Sequence, residues 1–134
     1  MTLDGGDFEN EELSFISNKK ANYTSHVEIL DVTMANSPYL LYIQLLNIEE
    51  GVVGSFSSME PVSVSAQIFF NDGSDLPEDI QWRYVSAEYE ITLEEFGPSN
   101  EGWVQGTFSG VLVDQFGGES MTLSDGFFNV PRKE

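Results

Sequence analysis

The sequence lacks cysteine and is poor in histidine and in basic residues. Its 134 residues include no cysteine, a single histidine (His26) and only 5 lysines and arginines. The absence of cysteine excludes a disulfide scaffold, thiol catalysis and any zinc or iron–sulfur site with cysteine ligands. One histidine without a Gly-x-Ser-x-Gly motif gives no support to a Ser–His–Asp catalytic site.

The shortage of basic residues also excludes classes of partner. The chain carries 23 aspartates and glutamates, so its formal net charge is -18. Nucleic-acid binding needs lysine and arginine to neutralise phosphates, and anionic lipid head groups attract the same side chains. No apolar run reaches the length of a membrane span. We therefore expect no nucleic-acid partner and no direct membrane insertion of this domain.

The residues that are present support one folded domain behind an acidic segment. Ten phenylalanines, five tyrosines and two tryptophans supply ample apolar surface for a core, and the length suits one domain. Residues 1–12 contain five acids, two glycines and no base. This composition predicts an acidic flexible tether over residues 1–11 and a single domain over residues 12–134.

Apolar residues in that domain recur with a period of two, which is typical of β-strands. The alternation includes Val62, Val64, Ala66, Ile68, Phe70, Tyr89, Ile91 and Leu93. Residues 39–46 are apolar on both faces, which predicts a central strand. Turn residues at 35–38, 71–75, 97–102 and 117–118 separate the runs. The pattern predicts an all-β fold, an antiparallel two-sheet sandwich, with a small closed β-barrel as the alternative.

The C-terminal third carries the most regular motifs. Residues 106–110 read Gly-Thr-Phe-Ser-Gly, and residues 122–127 read Thr-Leu-Ser-Asp-Gly-Phe. Glycines on either side of Phe108 leave room on that face for a large side chain from a neighbouring strand. Asp125 and Gly126 predict a bulge.

These motifs, together with Leu-Tyr-Ile-Gln-Leu at 41–45 and Gly-Ser-Phe at 54–56, resemble a family. The group consists of small acidic β-rich exported lipoproteins of Bacteroidetes, mostly of unknown function, and the resemblance covers residues 39–132. It implies an exported domain on the outer membrane surface or in the periplasm, anchored by a lipidated cysteine just upstream. An acidic stretch after the anchor accompanies surface display in such lipoproteins, and residues 4–12 fit that pattern.

Three aromatic residues are candidate ligand-binding residues, because exposed rings can stack on the apolar faces of sugars. They are Trp82, Tyr84 and Trp103. Strand alternation places Trp82 and Tyr84 on one face and Arg83 on the other. Packing in the core or at an interface is the alternative role for these rings.

Two kinds of acidic site are also conceivable. Asn71, Asp72 and Asp75 are calcium candidates, since oxygen ligands in a glycine-containing loop suit that ion. Their spacing misses the EF-hand pattern, and Asx turns explain the same residues. Paired carboxylates on the strand with Glu88 and Glu90 could catalyse glycoside hydrolysis, but the sequence favours a charged, solvent-facing surface for them.

The sequence therefore predicts a non-catalytic binding or structural module of a bacterial cell-surface or periplasmic lipoprotein. Its partner would be a protein or a glycan at the cell surface. We expect no cofactor, with a calcium ion as the open alternative. One alternative is a carbohydrate-binding accessory protein of a glycan-uptake system. The other is a small hydrolase that depends on carboxylates.

Overall fold

A computed structural model of the chain describes residues 1–6, 8–15, 17–59, 63–98 and 101–134. Val62 of the predicted alternation, and Ser99 and Asn100 of a predicted turn, lie outside the described residues. The described residues contain strands and no helix, which confirms the all-β prediction. None of these residues therefore belongs to a helix long and apolar enough to cross a membrane. The strands are β1 (Thr2–Gly5), β2 (Phe8–Glu12), β3 (Ser17–Thr24), β4 (Ile29–Asn36), β5 (Tyr39–Leu46), β6 (Gly54–Ser57), β7 (Ser65–Asn71), β8 (Tyr84–Phe96), β9 (Trp103–Asp114) and β10 (Met121–Pro131).

All these strands belong to one antiparallel sheet. Its order is β2-β1-β10-β9-β8-β7-β5-β4-β3, and β6 pairs with β8 beside this path. The sheet curls, so that β3 at one edge meets the residues that follow β10. Ala21 of β3 forms a parallel bridge with Arg132, and the carbonyl of Ala21 accepts a hydrogen bond from Lys133 N at 2.8 Å. Hairpins connect β4 to β5 and β9 to β10, at the turns predicted near residues 35–38 and 117–118.

The inner face of the curled sheet carries the core. Alternate residues of β4, β5 and β7 point inward and are almost inaccessible: Leu30, Val32, Met34, Leu41, Ile43, Leu45, Ala66, Ile68 and Phe70. Burying each large apolar side chain contributes about 1.5–3 kcal/mol to folding. As predicted, β5 is central, since it pairs with β4 on one side and β7 on the other. Its other face carries half-buried residues, Leu40, Tyr42 and Leu46.

Close packing between β9 and β10 explains the glycine-rich motifs. A Cβ at Gly126 would lie 2.5 Å from the Phe108 ring, and one at Gly106 would lie 2.8 Å from the Phe128 ring. Each phenylalanine therefore covers a glycine of the neighbouring strand, and the ring of Phe128 over Gly106 is the kind of contact that the sequence predicts. The register between these strands shifts between Leu123 and Gly126, which confirms the bulge.

The N-terminal residues differ from the predicted flexible tether over residues 1–11. Strands β1 and β2 form a hairpin that extends the sheet, with Leu3 opposite Leu123 of β10. Leu3 is only 1% exposed, and the ring of Phe8 packs edge-on against Phe70 at 6.3 Å between centroids. Two well-placed apolar side chains thus anchor a segment whose acids remain in water. Asp7 lies outside the described residues.

Candidate ligand-binding site

Three aromatic rings form a cluster on the outer face of the sheet. Tyr42 of β5 and Phe69 of β7 are direct cross-strand neighbours, and Trp82 lies over both from the loop that precedes β8. The ring centroids are 5.5 Å apart for Tyr42–Phe69, 5.6 Å for Tyr42–Trp82 and 5.5 Å for Phe69–Trp82. All three side chains are half-buried, so the cluster keeps one accessible side.

A shallow cavity of about 250 Å³ opens beside these rings. We call its lining the aromatic site: Tyr42, Gln44, Phe69, Gln81 and Trp82. Aromatic walls with a few amide groups are typical of small-ligand sites, because rings supply contact area and amides orient the ligand.

A hydrogen-bonded group of polar side chains holds Tyr42 in place. Its hydroxyl donates to Oδ1 of Asp31. Nε2 of Gln44 donates to the same carboxylate oxygen at 3.3 Å and to the Tyr42 hydroxyl at 3.0 Å. Burial, followed by the hydrogen bond to Asp31 and the charge of Asp31, raises the pKa of Tyr42 above its ordinary value. The hydroxyl therefore stays protonated and remains the donor.

Arg83 fixes the loop that carries Trp82. Its guanidinium pairs with Asp72 at 2.9 Å and with Asp114 at 3.2 Å. Its backbone N–H donates to Oδ1 of Asn71 at 2.7 Å, while the amide of Asn71 donates to the carbonyl of Gln81 at 3.1 Å. These contacts join the end of β7, the end of β9 and the residues on either side of Trp82.

The prediction that Trp82 and Tyr84 share a face is wrong. Strand β8 begins only at Tyr84, whose ring is 2% exposed and packs against Phe70 in the core. Trp82 precedes the strand, so alternation does not govern it, and the Arg83 contacts turn its ring to the outer face. Tyr84 is thus a core residue.

Trp103 lies far from the aromatic site. It starts β9 and is opposite Pro131, whereas Tyr84, two residues after Trp82, is opposite Asp114 at the other end of β9. The Trp103 ring is 46% exposed. The structure therefore brings only one of the three predicted aromatic residues, Trp82, into the site.

Two of the three calcium candidates, Asn71 and Asp72, are engaged in the contacts of Arg83. Oδ1 of Asp72 accepts hydrogen bonds from the backbone and hydroxyl of Ser74, at 3.1 and 2.6 Å, while Oδ2 faces Arg83. Oδ1 of Asn71 is also occupied, and Asp75 is exposed. Over the described ranges, no group of three or more His, Cys, Asp or Glu side chains is placed to hold a metal ion. Calcium binding stays a prediction.

Two further cavities lie on the outer face over β8, β9 and β10. One of about 550 Å³ is lined by Glu90, Ser109 and Asp125 among others, and an adjacent one of about 360 Å³ shares Glu90 and Ser109 with it. Their walls are rich in hydroxyl groups, and Phe127 stands at the rim, 55% exposed. Both carboxylates are exposed.

Sequence reasoning missed Tyr42, Gln44, Phe69 and Gln81. A signal for two of them is present: Tyr42 and Phe69 are aromatic residues at positions where the alternation calls for a solvent-facing polar side chain.

Comparisons of the chain with protein-family models, with curated proteins and with solved structures found no match.

Proposed function

We propose that this chain is a non-catalytic binding module that recognises carbohydrate through the aromatic site. The observation that carries the proposal is the half-buried cluster of Tyr42, Phe69 and Trp82 beside the amides of Gln44 and Gln81. Rings offer flat apolar area to the C–H face of a sugar, and amides both donate and accept hydrogen bonds with its hydroxyls. The loop contacts of Arg83 preorganise Trp82, which lowers the entropic cost of binding.

The proposed setting is the surface or periplasm of a bacterium, where the module is displayed by a lipid anchor upstream. The resemblance of residues 39–132 to exported lipoproteins supports this setting. A role as an accessory protein of a glycan-uptake system follows from the same resemblance combined with the aromatic site.

We extend the proposal to the way in which the sheet is layered. We take the two halves of the curled sheet as the layers of an antiparallel sandwich, with a small closed barrel as the alternative. The meeting of β3 with the end of β10 supports a nearly closed arrangement around one core.

The test compares the two tryptophans. Glycan-array screening of the wild-type protein identifies the ligand, and isothermal titration then measures its affinity for Trp82→Ala and Trp103→Ala. Trp82→Ala should weaken binding by about 2 kcal/mol, roughly 30-fold, as expected for an aromatic anchor. Trp103→Ala is the matched control, since Trp103 is exposed and lies at the end of β9 that is far from the aromatic site. This variant should bind the glycan like the wild type.

Two outcomes would contradict the proposal. One is an array on which the folded wild-type protein retains no glycan. The other is equal affinity of the two variants, with circular dichroism showing that both are folded.

A second candidate function is carboxylate-dependent hydrolysis in the cavity over β8 to β10. The observation that favours it is that Glu90 and Asp125, two strands apart, line the same 550 Å³ cavity. Two strand spacings amount to about 10 Å, close to the separation of carboxyl groups in inverting glycosidases. Release of reducing ends from a bound glycan, abolished in Glu90→Gln and in Asp125→Asn, would establish this function in place of simple binding.

A further inference from the structure

We infer that the aromatic site is one part of a longer track, which crosses β3, β4, β5 and β7 and holds a neutral linear oligosaccharide of three or more sugar residues. The inference rests on the proposed function, since it names the class of glycan that the aromatic site takes.

The register of the sheet aligns polar side chains in a row across four strands. Asn22 is opposite Asp31, Asp31 is opposite Gln44, and Gln44 is opposite Gln67. Each of the four has buried residues as its chain neighbours, so all four point to the outer face. Three strand spacings make the row about 14 Å long, and one pyranose ring is about as long as one spacing.

The aromatic rings lie in the adjacent row of the same face. Thr33 is opposite Tyr42, and Tyr42 is opposite Phe69. Along their own strands, Thr33 lies two positions from Asp31, Tyr42 two positions from Gln44, and Phe69 two positions from Gln67. A sugar chain that runs perpendicular to the strands can therefore rest on the rings and reach the polar row with its edge hydroxyls.

The hydrogen-bonding capacity of the row favours a ligand with many hydroxyl donors. The Tyr42 hydroxyl and the amide nitrogen of Gln44 are committed to Asp31. Oδ2 of Asp31 and Oε1 of Gln44 accept no hydrogen bond from the described residues, so they are available to sugar hydroxyls. The amides of Asn22 and Gln67 likewise make no side-chain hydrogen bond within that part of the chain, and each can both donate and accept.

The charge of the site excludes acidic glycans. The carboxylate of Asp31 belongs to the row, and the net charge of the chain is -18. A uronic acid or a sulfated sugar would bring like charge against this surface, which costs free energy of binding. The track therefore takes neutral glycans and rejects anionic ones of the same length.

The experiment measures affinity against chain length. The probes are the disaccharides and hexasaccharides of β-1,4-linked glucose, mannose and xylose and of α-1,4-linked glucose, with a hexamer of galacturonic acid as the anionic comparison. For the sugar that binds, the hexamer should bind about tenfold or more tightly than the dimer, since each extra hydrogen bond contributes about 1 kcal/mol. The galacturonate hexamer should not bind.

Variants locate the track. Asn22→Ala should lower the affinity for the hexamer about fivefold, because one or two hydrogen bonds are lost, and should leave the affinity for the dimer unchanged. Gln67→Ala tests the other end of the row in the same way if Asn22→Ala is unstable. Asn129→Ala, an exposed asparagine on β10, is the matched control and should alter neither affinity.

The outcomes separate the two proposals. If none of the probes binds and the glycan array also retains nothing, the proposed function and the track are both overturned. A glycan retained on the array without binding of any probe overturns the track alone. If dimer and hexamer bind equally and Trp82→Ala still abolishes binding, the track alone is overturned. Equal effects of Asn22→Ala, Gln67→Ala and Asn129→Ala on the hexamer also overturn the track.

Discussion

At the scale of single residues, Arg83 decides where the Trp82 ring lies. Its guanidinium joins Asp72, in the loop after β7, to Asp114 at the end of β9. The charge lies over the rings of Tyr84 and Phe116, at 5.1 and 5.3 Å from their centroids. Because these partners come from separate elements, the pair with Asp72 stabilises the loop as well as the ends of the strands.

Asp72 gives this contact a measurable pH dependence. Burial alone raises the pKa of Asp72, but hydrogen bonds from Ser74 and the charge of Arg83 outweigh burial and hold that pKa below its ordinary value. A carboxyl group with a lowered folded-state pKa stabilises the fold above its unfolded pKa of about 4, and this contribution is lost as the pH falls further.

We therefore expect Asp72→Asn to lower the free energy of unfolding by about 1–2 kcal/mol at pH 7. The difference from the wild type should shrink as the pH falls from 7 to 3, because the contribution of a carboxyl group with a lowered folded-state pKa is progressively lost below its unfolded pKa. Urea unfolding at both pH values measures it, and Asp75→Asn, an exposed carboxylate in the same loop, is the control at pH 7. An equal loss for Asp72→Asn at pH 7 and pH 3 would show that its charge is not what stabilises the loop.

At the scale of elements, the N-terminal hairpin is an integral part of the sheet. Leu3 is buried between β2 and β10, and Phe8 reaches the core rings of Tyr39 and Phe70. The acids of the same segment, such as Glu9, face solvent. The stability of the hairpin therefore comes from two apolar anchors.

Leu3→Ala should consequently lower the free energy of unfolding by about 3 kcal/mol, the usual cost of truncating a buried leucine. Glu9→Ala, on the exposed side of the hairpin, should change it by less than about 0.5 kcal/mol. Chemical denaturation of both variants provides the comparison. A flexible tether would make the two variants equally stable.

The sequence predicts those elements whose signals are local. Alternation in β7 and turn residues at 117–118 depend on neighbours in the chain, and both predictions are confirmed. The N-terminal hairpin is not predictable in this way, because its acidic composition outweighs Leu3 and Phe8, and its partner β10 lies at the other end of the sequence. The aromatic site depends on the register that sets Tyr42 beside Phe69, which a single sequence does not specify.

At the scale of the whole molecule, negative charge opposes the fold that carries the site. With 23 acidic and 5 basic residues, acids far outnumber bases, and most carboxylates of the described residues form no ion pair. Arg83 and Arg132 each pair with two carboxylates, and Arg132 is buried against Tyr23 and Phe96 while it contacts Glu50 and Glu134. Mutual repulsion among the remaining acids destabilises the compact state.

Salt should therefore stabilise the protein. Raising sodium chloride from 0.01 M to 0.3 M shortens the Debye length from about 30 Å to under 10 Å and screens that repulsion. We expect the melting temperature to rise by about 3–8 °C, which corresponds to 1–2 kcal/mol for a domain of this size. Differential scanning calorimetry measures the shift, and a melting temperature that stays constant or falls would contradict the charge argument.

Glycan binding over Trp82 has a direct optical test, because the chain contains only two tryptophans. The Trp103→Phe variant retains Trp82 as its single tryptophan, and the Trp82→Phe variant retains Trp103. Tryptophan fluorescence of each is recorded while the glycan that binds the wild type is added. Binding over Trp82 predicts a saturable change in intensity or wavelength for Trp103→Phe and none for Trp82→Phe. A saturable change for Trp82→Phe with a flat response for Trp103→Phe would place the ligand elsewhere and contradict it.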